Sequence, residues 1–276
     1  MPGTLYVVGT PIGNLSDFSP RAIETLEKVD FIAAEDTRVT VKLLNHFGIK
    51  KEMLSYYEHN KMERGGAIIA RLLDGENCAI VSDAGMPAIS DPGEQLVKIA
   101  HENGIKVEST PGPSAFVTAL AISGMPSGRF CFEGFLSMNK PSRRSHLAEL
   151  KNEKRTMIFY EAPHKLLATL KDMLETFGDR EIAIARELTK IHEELTNTTL
   201  LSAYNYYSEN TPKGEFVLII SGAPEENPTL YTLDDAVKIA KELMAKGDSA
   251  STAAKEAAAT CGVKKGDIYK KISELK

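Results

Sequence analysis

Acid and base side chains stand directly after two apolar runs in the second half of the chain, where buried strands are expected to end. Tyr160 and Glu161 follow the first run. Arg186, Glu187 and Lys190 follow the second. Carboxylates and amines in such positions can move protons or hold a polar substrate, because loops at strand ends carry functional groups into clefts. Ion pairs that only stabilise the fold would use the same residue types, and the sequence leaves both interpretations open.

Three turn-rich segments follow apolar runs in the first half of the chain. They span residues 9–14, 82–93 and 109–115. None of them matches G-x-G-x-x-G or G-x-x-x-x-G-K-[ST], so the usual dinucleotide and P-loop interpretations fail. The middle segment carries Asp83 and Asp91, and a rigid loop with a carboxylate can hold an amino group or a sugar hydroxyl. A simple turn is the alternative for each segment, but three of them at one edge of a parallel sheet favour a ligand site.

Short β-rich runs alternate with helical patterns up to residue 122, which predicts βαβ units around a largely parallel sheet. The predicted strands are Leu5 to Val8, Phe31 to Ala34, Met53 to Tyr56, Ala79 to Ser82 and Ile105 to Glu108. The predicted helices are Arg21 to Lys28, Val41 to His46, Gly65 to Leu73, Gly93 to Glu102 and Ser114 to Ile122. Turn residues cluster at 123–128 and interrupt the pattern, which predicts a domain boundary there.

A second α/β block with a more mixed sheet follows this boundary. Its predicted strands are Phe130 to Leu136, Thr156 to Tyr160, Ile182 to Ala185 and Glu215 to Ile220. Its predicted helices are Arg143 to Leu150 and His164 to Phe177. Further helical patterns occur at Leu233 to Ala245, Thr252 to Ala259 and Asp267 to Leu275. The sequence therefore predicts two α/β domains, at residues 1–123 and 124–226, and a small helical appendage at residues 227–276.

The composition is that of an ordinary globular protein, with 42% hydrophobic and 26% charged residues among 276. A formal net charge of −5 carries no overall nucleic-acid signal. The three cysteines lack zinc and disulfide spacing, and His164 and His192 lack metal-ligand spacing, so we expect no metal and a reducing, cytoplasmic location. The start of the chain lacks a signal-peptide pattern, and the uncharged stretch 109–128 has too many prolines and glycines for a membrane span.

The second block contains a local cluster of positive charge, although the net charge of the chain is negative. Its basic residues are Lys140, Arg143, Arg144, Lys151, Lys154 and Arg155, which face only Glu149 and Glu153 in the same stretch. Lysine and arginine side chains that displace counterions from phosphates supply most of the non-specific affinity for nucleic acids. The cluster is therefore a candidate polyanion contact, with a solvated helix face as the alternative.

Taken together, these motifs resemble the tetrapyrrole-methylase family of S-adenosylmethionine enzymes. The matching stretches are Leu5 to Asn14, Ala34 to Arg38, His46 to Gly48, Val81 to Gly85 with Asp91 to Gly93, Pro111 to Pro113, Glu133 to Leu136, Ile158 to Glu161, Ala185 to Lys190 and Lys213 to Glu215. The resemblance implies two α/β domains, a homodimer, and S-adenosylmethionine bound in the cleft between the domains.

The stretch from Phe135 to Arg144 resembles the RNA-methylating branch of this family. That branch implies methyl transfer to the ribose 2′-oxygen of a cytidine in the decoding centre of 16S rRNA, within the small ribosomal subunit. The match makes the basic cluster a predicted RNA surface, because arginine forks suit phosphate oxygens. The predicted RNA contacts are Arg38, Lys140, Arg143 and Arg144. The cofactor contacts implied by the motifs are Pro11, Asp83, Met86, Ser114, Ala115, Tyr160, Arg186 and Gly214.

Methyl transfer to a ribose hydroxyl would benefit from a base. Such a hydroxyl is a poor nucleophile near neutral pH, and a residue that takes its proton adds about 10²-fold to 10⁴-fold in rate. Glu187 and Glu161 are the candidates, and Lys190 is a third only if burial lowers its pKa. The resemblance does not decide among them.

Two alternatives stay open. Relatives that act on tetrapyrroles carry Gly-Asp-Pro where this chain has Ser82-Asp83-Ala84, and a tetrapyrrole or other small-molecule methyltransferase is the alternative among enzymes. From another class, residues 248–276 are consistent with a helix-turn-helix that binds nucleic acid. Its candidate phosphate contacts are Lys264, Lys265, Lys270 and Lys271. The alanine-rich stretch 253–259 is equally consistent with a packing helix.

Overall fold

The structure, a computed structural model, describes residues 1–224 and 231–274, apart from the side chain of Met62. Residues 1–223 form one compact unit and residues 224–276 form a second. The first predicted α/β block and residues 124–223 of the second fall within the first unit. The predicted boundary between residues 226 and 227, and Leu275 at the end of the last predicted helix, lie outside the described residues.

Within residues 1–224, all neighbouring strands of the first sheet are parallel. Its strands are β1 (Thr4–Val8), β2 (Phe31–Ala34), β3 (Glu52–Ser55), β4 (Cys78–Val81) and β5 (Lys106–Thr110), in the spatial order β3-β2-β4-β1-β5. The helices of this half are α1 (Pro20–Lys28), α2 (Thr37–His46), α3 (Lys61–Leu73), α4 (Gly93–Glu102) and α5 (Ala115–Ser123). Strands β2 and β4 are buried at every position, as expected of central strands that helices cover on both faces.

The second sheet, also within residues 1–224, is mixed, as predicted. Its strands are β6 (Phe130–Phe135), β7 (Thr156–Glu161), β8 (Glu181–Arg186), β9 (Glu194–Thr199) and β10 (Phe216–Ile220), in the spatial order β6-β7-β10-β8-β9. Strands β6 and β7 are parallel, and the other neighbouring pairs are antiparallel. The helices of this half are α6 (Lys140–Glu149), α7 (Pro163–Phe177) and α8 (Leu200–Glu209). Strand β9 and helix α8 were not predicted from the sequence.

Helix α5 follows the first sheet in the chain but packs on the second. Ala119 and Leu120 lie in one core cluster with Ile158 of β7 and Val217 of β10. Because α5 begins directly after the loop that ends β5, this packing carries that loop to the second sheet. The loops at the strand ends of both sheets therefore border a common space.

The uncharged stretch 109–128 contains the end of β5 and the nine-residue helix α5. Nine helical residues extend about 14 Å, and the hydrocarbon core of a bilayer is about 30 Å thick. In the parts of the chain that the structure describes, no helix combines the length and the apolar character needed to cross a membrane.

The second unit contains the helices α9 (Leu233–Ala245), α10 (Ala250–Cys261) and α11 (Lys265–Glu274). Ala253, Ala254 and Ala257 are fully buried in one cluster with Ile268 and Ile272. Small side chains let neighbouring helices approach closely, so the alanine-rich stretch of α10 is the packing face of this unit. The proposed nucleic-acid contacts on α11 and before it stay a prediction.

Candidate active site

A cleft of about 490 Å³ lies where loops from the two sheets meet. Backbone groups are left free where parallel strands end, which is why α/β sheets bind ligands at this edge. Residues that the sequence singled out contribute to its lining: Asp83, Met86, Ser114, Ala115, Tyr160 and Glu161. The structure thus brings together cofactor candidates from the loops after β4 and β5 and from the end of β7, which lie far apart in the chain.

The loops that follow β1, β4 and β5 touch one another through backbone atoms. A Cβ atom on Gly9 would lie 2.6 Å from the Cα of Gly112. The amide of Gly112 donates to the Sδ of Met86 at 3.2 Å. Thr10 and Gly85 exchange two backbone hydrogen bonds of 2.9 and 3.1 Å. The three turn-rich segments therefore form one layer, and glycine is needed where two of them cross.

The loop after β4 is held in an unusual backbone conformation. Ala88 and Ser90 adopt left-handed φ angles of 68° and 64°. The Oδ1 of Asp91 accepts hydrogen bonds from the backbone amides of Ala88, at 2.9 Å, and Gly93, at 2.7 Å. Such strained residues persist only where their surroundings hold them, and they cluster at functional sites. Between the two strained residues, Ile89 is partly exposed and lines the cleft.

Two carboxylates with raised pKa values stand on one wall of the cleft. Burial raises the pKa of Glu35, and the nearby charge of Asp83 raises it further. Burial also raises the pKa of Asp83, whose Oδ1 accepts a hydrogen bond from the backbone amide of Asp36 at 3.0 Å. Partly buried carboxylates whose pKa values are raised favour a positively charged ligand. In the described residues, no three or more His, Cys, Asp or Glu side chains are grouped to hold a metal ion.

Glu35 was not singled out from the sequence. It stands directly after the apolar run that forms β2, and Glu161 is likewise at the end of β7. The rule that picked out Glu161 and Glu187 in the second half of the chain would have found Glu35 in the first half. Its place in the cleft lining makes it a candidate ligand contact.

Glu187, Lys190 and Glu215 form a hydrogen-bonded group at the edge of the cleft. The Nζ of Lys190 lies 2.8 Å from the Oε1 of Glu187 and 2.9 Å from the Oε2 of Glu215. The hydrogen bond from Lys190 lowers the pKa of Glu187. Burial acts to lower the pKa of Lys190, but its hydrogen bonds to the two carboxylates outweigh burial and raise it. Lys190 is therefore protonated near neutral pH. It could act as the base only if burial lowered its pKa, and that condition is not met.

Two glycines make room for this group. A Cβ atom on Gly214, which has a φ of 89°, would lie 2.5 Å from the Cγ of Glu187. A Cβ atom on Gly13 would lie 2.5 Å from the Cγ of Lys190. The loops after β1 and before β10 therefore pack directly against the loop after β8. Glu187 itself has a left-handed φ of 50°. This conformation costs free energy in a residue other than glycine, and such residues cluster at functional sites.

Three other cofactor candidates do not line the cleft, although each is adjacent in sequence to a residue that does. They are Pro11, Arg186 and Gly214. The guanidinium of Arg186 donates to the backbone oxygen of Lys213 at 2.7 Å and lies 3.1 Å from a carboxylate oxygen of Glu194. The first contact ties β8 to the loop that precedes β10, and the second ties it to β9. In this arrangement Arg186 shapes the rim of the cleft.

Tyr160 and Glu161 fix the junction between β7 and its neighbours. The hydroxyl of Tyr160 accepts a hydrogen bond from the backbone amide of Phe116 at 3.2 Å, and burial raises its pKa. Glu161 is buried, and its oxygens accept hydrogen bonds from the hydroxyl of Thr169, at 2.6 Å, and the amide of Ala162, at 2.9 Å. Both oxygens of Glu161 are thus already engaged, although the residue lines the cleft.

Three predicted RNA contacts lie at the surface. The side chain of Arg38 is 88% exposed and pairs with Asp36. Lys140 is exposed at the start of α6. Arg144 is 44% exposed and pairs with Asp172 and Glu175. Exposed ion pairs such as that of Arg38 exchange partners at little cost, so they leave a cation accessible to an external anion.

The fourth predicted contact, Arg143, is buried. Its side chain is only 8% exposed, and its guanidinium pairs with the carboxylate of Asp172 at 2.7 Å. It also donates to the backbone oxygens of Ser137 and Met138 at 3.2 and 3.3 Å. A guanidinium enclosed in this way is unsuited to the phosphate contact predicted for it. Arg143 instead anchors the loop between β6 and α6.

Known proteins are similar to this chain over nearly its whole length. The family model described as "Tetrapyrrole (Corrin/Porphyrin) Methylases" matches residues 4–203. A protein of Synechocystis sp. named "Ribosomal RNA small subunit methyltransferase I" is 47% identical over 274 residues, which cover 99% of this chain and 98% of that protein. A protein of the same name from Halalkalibacterium halodurans is 50% identical and covers 97% of this chain and 93% of its own length. The Thermotoga maritima protein of that name is 50% identical over 220 residues, which are 80% of this chain and 99% of that protein.

Solved structures share the fold at lower sequence identity. Diphthine synthase superposes with a TM-score of 0.60 at 12% identity, over 79% of this chain and 89% of its own. Uroporphyrin-III-C-methyltransferase from Thermus thermophilus superposes with a TM-score of 0.57 at 18% identity, over 80% of this chain and 95% of its own. Given the family match across most of its length, this chain belongs to the tetrapyrrole (corrin/porphyrin) methylases.

Proposed function

We propose that this protein is an S-adenosylmethionine-dependent methyltransferase of small-subunit ribosomal RNA, and that it methylates the ribose 2′-oxygen of a cytidine in the decoding centre of 16S rRNA. One observation carries the proposal. Relatives that match nearly the full chain at 44 to 50% identity bear the name of a small-subunit rRNA methyltransferase. The cleft and the surface cations beside it are consistent with this substrate. The choice of the ribose oxygen and of cytidine rests on the sequence resemblance.

The cleft suits the proposed cofactor. The carboxylates of Glu35 and Asp83 suit its positive charges, and the apolar side chains of Ile12, Ile89 and Leu188 suit a purine ring. The residues that would hold it are Pro11, Asp83, Met86, Ser114, Ala115, Tyr160, Arg186 and Gly214. When bound, S-adenosylmethionine supplies an electrophilic methyl group on a sulfonium.

Catalysis by this chain would consist mainly of positioning. Holding two reacting groups in a near-attack geometry lowers a barrier by about 7 to 11 kcal/mol in favourable cases. The backbone contact between Gly9 and Gly112, and the turn held by Asp91, give the cleft walls that rigidity. Surface cations such as Lys140 and Arg144 would hold phosphates of the RNA.

Glu187 is the residue that we place as the base. Its Oε1 accepts hydrogen bonds from the Nζ of Lys190 and from the backbone amide of Glu215. Oε2 is then the oxygen that a substrate hydroxyl would meet. The lowered pKa of Glu187 keeps it ionised at neutral pH, so it is ready to accept a proton at the cost of lower basicity. Glu161 is the weaker candidate because both of its oxygens are engaged.

The substitution Glu187→Gln tests this role. We expect the methylation rate in a single turnover to fall about 10²-fold to 10⁴-fold, the range for loss of a general base, while the affinity for S-adenosylmethionine stays within a few-fold. Glu181→Gln is the control, because Glu181 is exposed at the opposite end of the same strand. An unchanged single-turnover rate in Glu187→Gln would remove this residue as the base.

Cofactor affinity should depend on pH through Glu35 and Asp83. Because their pKa values are raised, both carboxyls take up protons at a higher pH than ordinary carboxyls when the pH falls. The affinity for cationic S-adenosylmethionine should therefore decline through the raised pKa, and more steeply than that for S-adenosylhomocysteine, whose sulfur is neutral. For folding the sign is opposite: these raised pKa values favour the folded state most at low pH, and this contribution is lost as the pH rises through them.

Calorimetric titration from pH 8 down to the ordinary carboxyl range, about pH 4, measures this dependence. Glu35→Gln should weaken binding at neutral pH and flatten the profile for S-adenosylmethionine. Parallel profiles for the two ligands in the unmodified protein would show that these carboxylates do not face the sulfonium.

The function itself is tested by a transfer assay with methyl-labelled S-adenosylmethionine. Purified protein is offered small ribosomal subunits from cells that lack it, and porphyrinoids in parallel. We expect label in the RNA of the subunits and none in the porphyrinoids. The reverse result would replace the proposal with the small-molecule methyltransferase that the sequence left as an alternative. The homodimer implied by the resemblance stays a prediction, which light scattering of the purified protein would test.

A further inference from the structure

Phe135 is an exposed aromatic side chain in the wall of the cleft, and the mechanism above does not use it. It is the last residue of β6, lines the cleft, and is 55% exposed. Single exposed apolar residues are common on proteins and need no explanation by themselves. This one differs because neighbouring elements hold it at the mouth of the site.

A β-bulge turns Phe135 toward the cleft. Phe132 and Gly134 pair with consecutive residues of β7, so Glu133 is an extra residue in β6. Side chains alternate between the two faces of a regular strand, which would place Phe132 and Phe135 on opposite faces. The extra residue brings both onto the same face, as bulges beside functional sites often do. A Cβ atom on Gly134 would lie 3.0 Å from the Oγ of Ser90, so the bulge also fits closely against the strained loop after β4.

Phe135 ends a continuous row of aromatic rings. Phe116 and Phe132 stack with centroids 4.4 Å apart, and Phe132 meets Tyr160 at 5.0 Å. Tyr160 in turn meets Phe135 at 5.3 Å. The first three rings pack against the core between α5 and the second sheet. A ring supported in this way loses little conformational freedom when a ligand binds on it.

One cation lies close to the exposed ring, and others follow it in the chain. The Nζ of Lys165 lies 5.8 Å from the ring centroid. The loop that follows Phe135 is anchored by the buried Arg143 and leads to the exposed Lys140 and Arg144. An aromatic platform beside cations is the usual arrangement in proteins that bind single-stranded nucleic acid, where bases stack on rings and cations follow the phosphates.

We propose that Phe135 is a stacking platform for the unpaired base of the nucleotide that this protein methylates. This inference rests on the proposed function and adds a specificity residue to it. Stacking on Phe135 would hold the base at the mouth of the cleft, so that the attached ribose enters it. RNA is read mainly through unstacked bases on aromatic side chains, since the grooves of its duplexes are hard to read.

The test compares substitutions that keep or remove an aromatic face. Phe135→Ala and Phe135→Leu remove it, and leucine retains much of the apolar bulk, whereas Phe135→Trp keeps it. The affinity of the protein, saturated with S-adenosylhomocysteine, for purified small ribosomal subunits is measured by filter binding. We expect alanine and leucine to weaken this affinity about 10-fold to 100-fold, and tryptophan to keep it within a few-fold. The affinity of all three variants for S-adenosylhomocysteine should be unchanged, which confirms an intact cleft.

Phe130→Ala is the matched control. Phe130 is the first residue of the same strand, is exposed, meets Phe116 at the far end of the aromatic row with centroids 6.4 Å apart, and does not line the cleft. We expect its loss to leave subunit binding unchanged. Equal subunit affinities for Phe135→Leu and Phe135→Trp, or an unweakened Phe135→Ala, would overturn the stacking role. Unmodified protein that binds subunits with Phe135-dependent affinity but transfers no methyl group to them would overturn the proposed function and leave stacking in place.

Discussion

Replacing Arg143 with alanine should lower the free energy of unfolding of the first unit by about 3 to 5 kcal/mol, the usual cost of removing one partner of a buried ion pair. The reason lies in Asp172, whose side chain is 3% exposed and pairs with Arg143 and Arg144. Burial acts to raise the pKa of Asp172, but the hydrogen bonds from both arginines outweigh it and lower it. Without Arg143, this buried carboxylate keeps only the half-exposed Arg144 as a partner.

Urea unfolding of the purified variants measures this effect. Arg155→Ala is the control, because Arg155 pairs with Glu153 at the surface and should cost no more than about 1 kcal/mol. Arg144→Ala should be milder than Arg143→Ala, since Arg144 is half exposed, and should weaken RNA binding instead. If Arg143→Ala unfolds like the unmodified protein but loses RNA affinity, Arg143 is a phosphate contact after all.

Gly112→Ala is expected to reduce cofactor binding strongly. The added methyl group would lie 2.8 Å from the Cα of Gly9. Backbone atoms cannot rotate out of the way, so the loops after β1 and β5 must move apart. Forcing an extra carbon into a packed site costs about 1 to 3 kcal/mol. If that cost falls on the conformation that binds S-adenosylmethionine, the affinity falls roughly 5-fold to 150-fold.

Gly66→Ala provides the contrast in calorimetric titration of the two variants. Gly66 lies within α3, and a Cβ atom there meets no atom within 4 Å. Alanine should stabilise that helix by about 0.5 to 1 kcal/mol and leave cofactor affinity unchanged. Equal cofactor affinities for Gly112→Ala and Gly66→Ala would mean that the contact between the two loops does not shape the site.

Elements with strong apolar patterns were predictable from the sequence. Strand β2 and helices α4 and α9 were predicted at the bounds that the structure has. Strand β9 was not, because it is an edge strand paired with β8, and a polar sequence, Glu-Leu-Thr-Asn-Thr-Thr, suffices there.

The sequence of helix α8 carries a helical pattern that depends on its tyrosines. Leu200, Ala203, Tyr204 and Tyr207 stand at helical spacing and pack on the same core cluster. The tyrosines make this stretch look polar, although Tyr204 and Tyr207 pack against the core. A test for helical period that counts tyrosine as apolar would have found the helix.

Convergence of the strand-end loops was predictable because parallel strands share one edge. The partners of single side chains were not. Arg143 and Arg144 are adjacent and alike in the sequence, yet one is buried and the other is half exposed. Both pair with Asp172, which stands 28 residues beyond Arg144, so the sequence around them does not indicate this partner. The protonation of Lys190 likewise depends on Glu215, which a different strand brings to it. Such properties depend on tertiary contacts that no local pattern encodes.

The central claim is that the two sets of strand-end loops bring a methyl donor and the sugar of one ribosomal RNA nucleotide together in one cleft. Mass spectrometry of nucleosides and fragments from 16S rRNA, in cells with and without this protein, tests it most directly. The account predicts one cytidine of the decoding centre that carries a 2′-O-methyl group only when the protein is present. An identical methylation pattern in both cell types, or a protein-dependent methyl group on a base instead of a ribose, would contradict it.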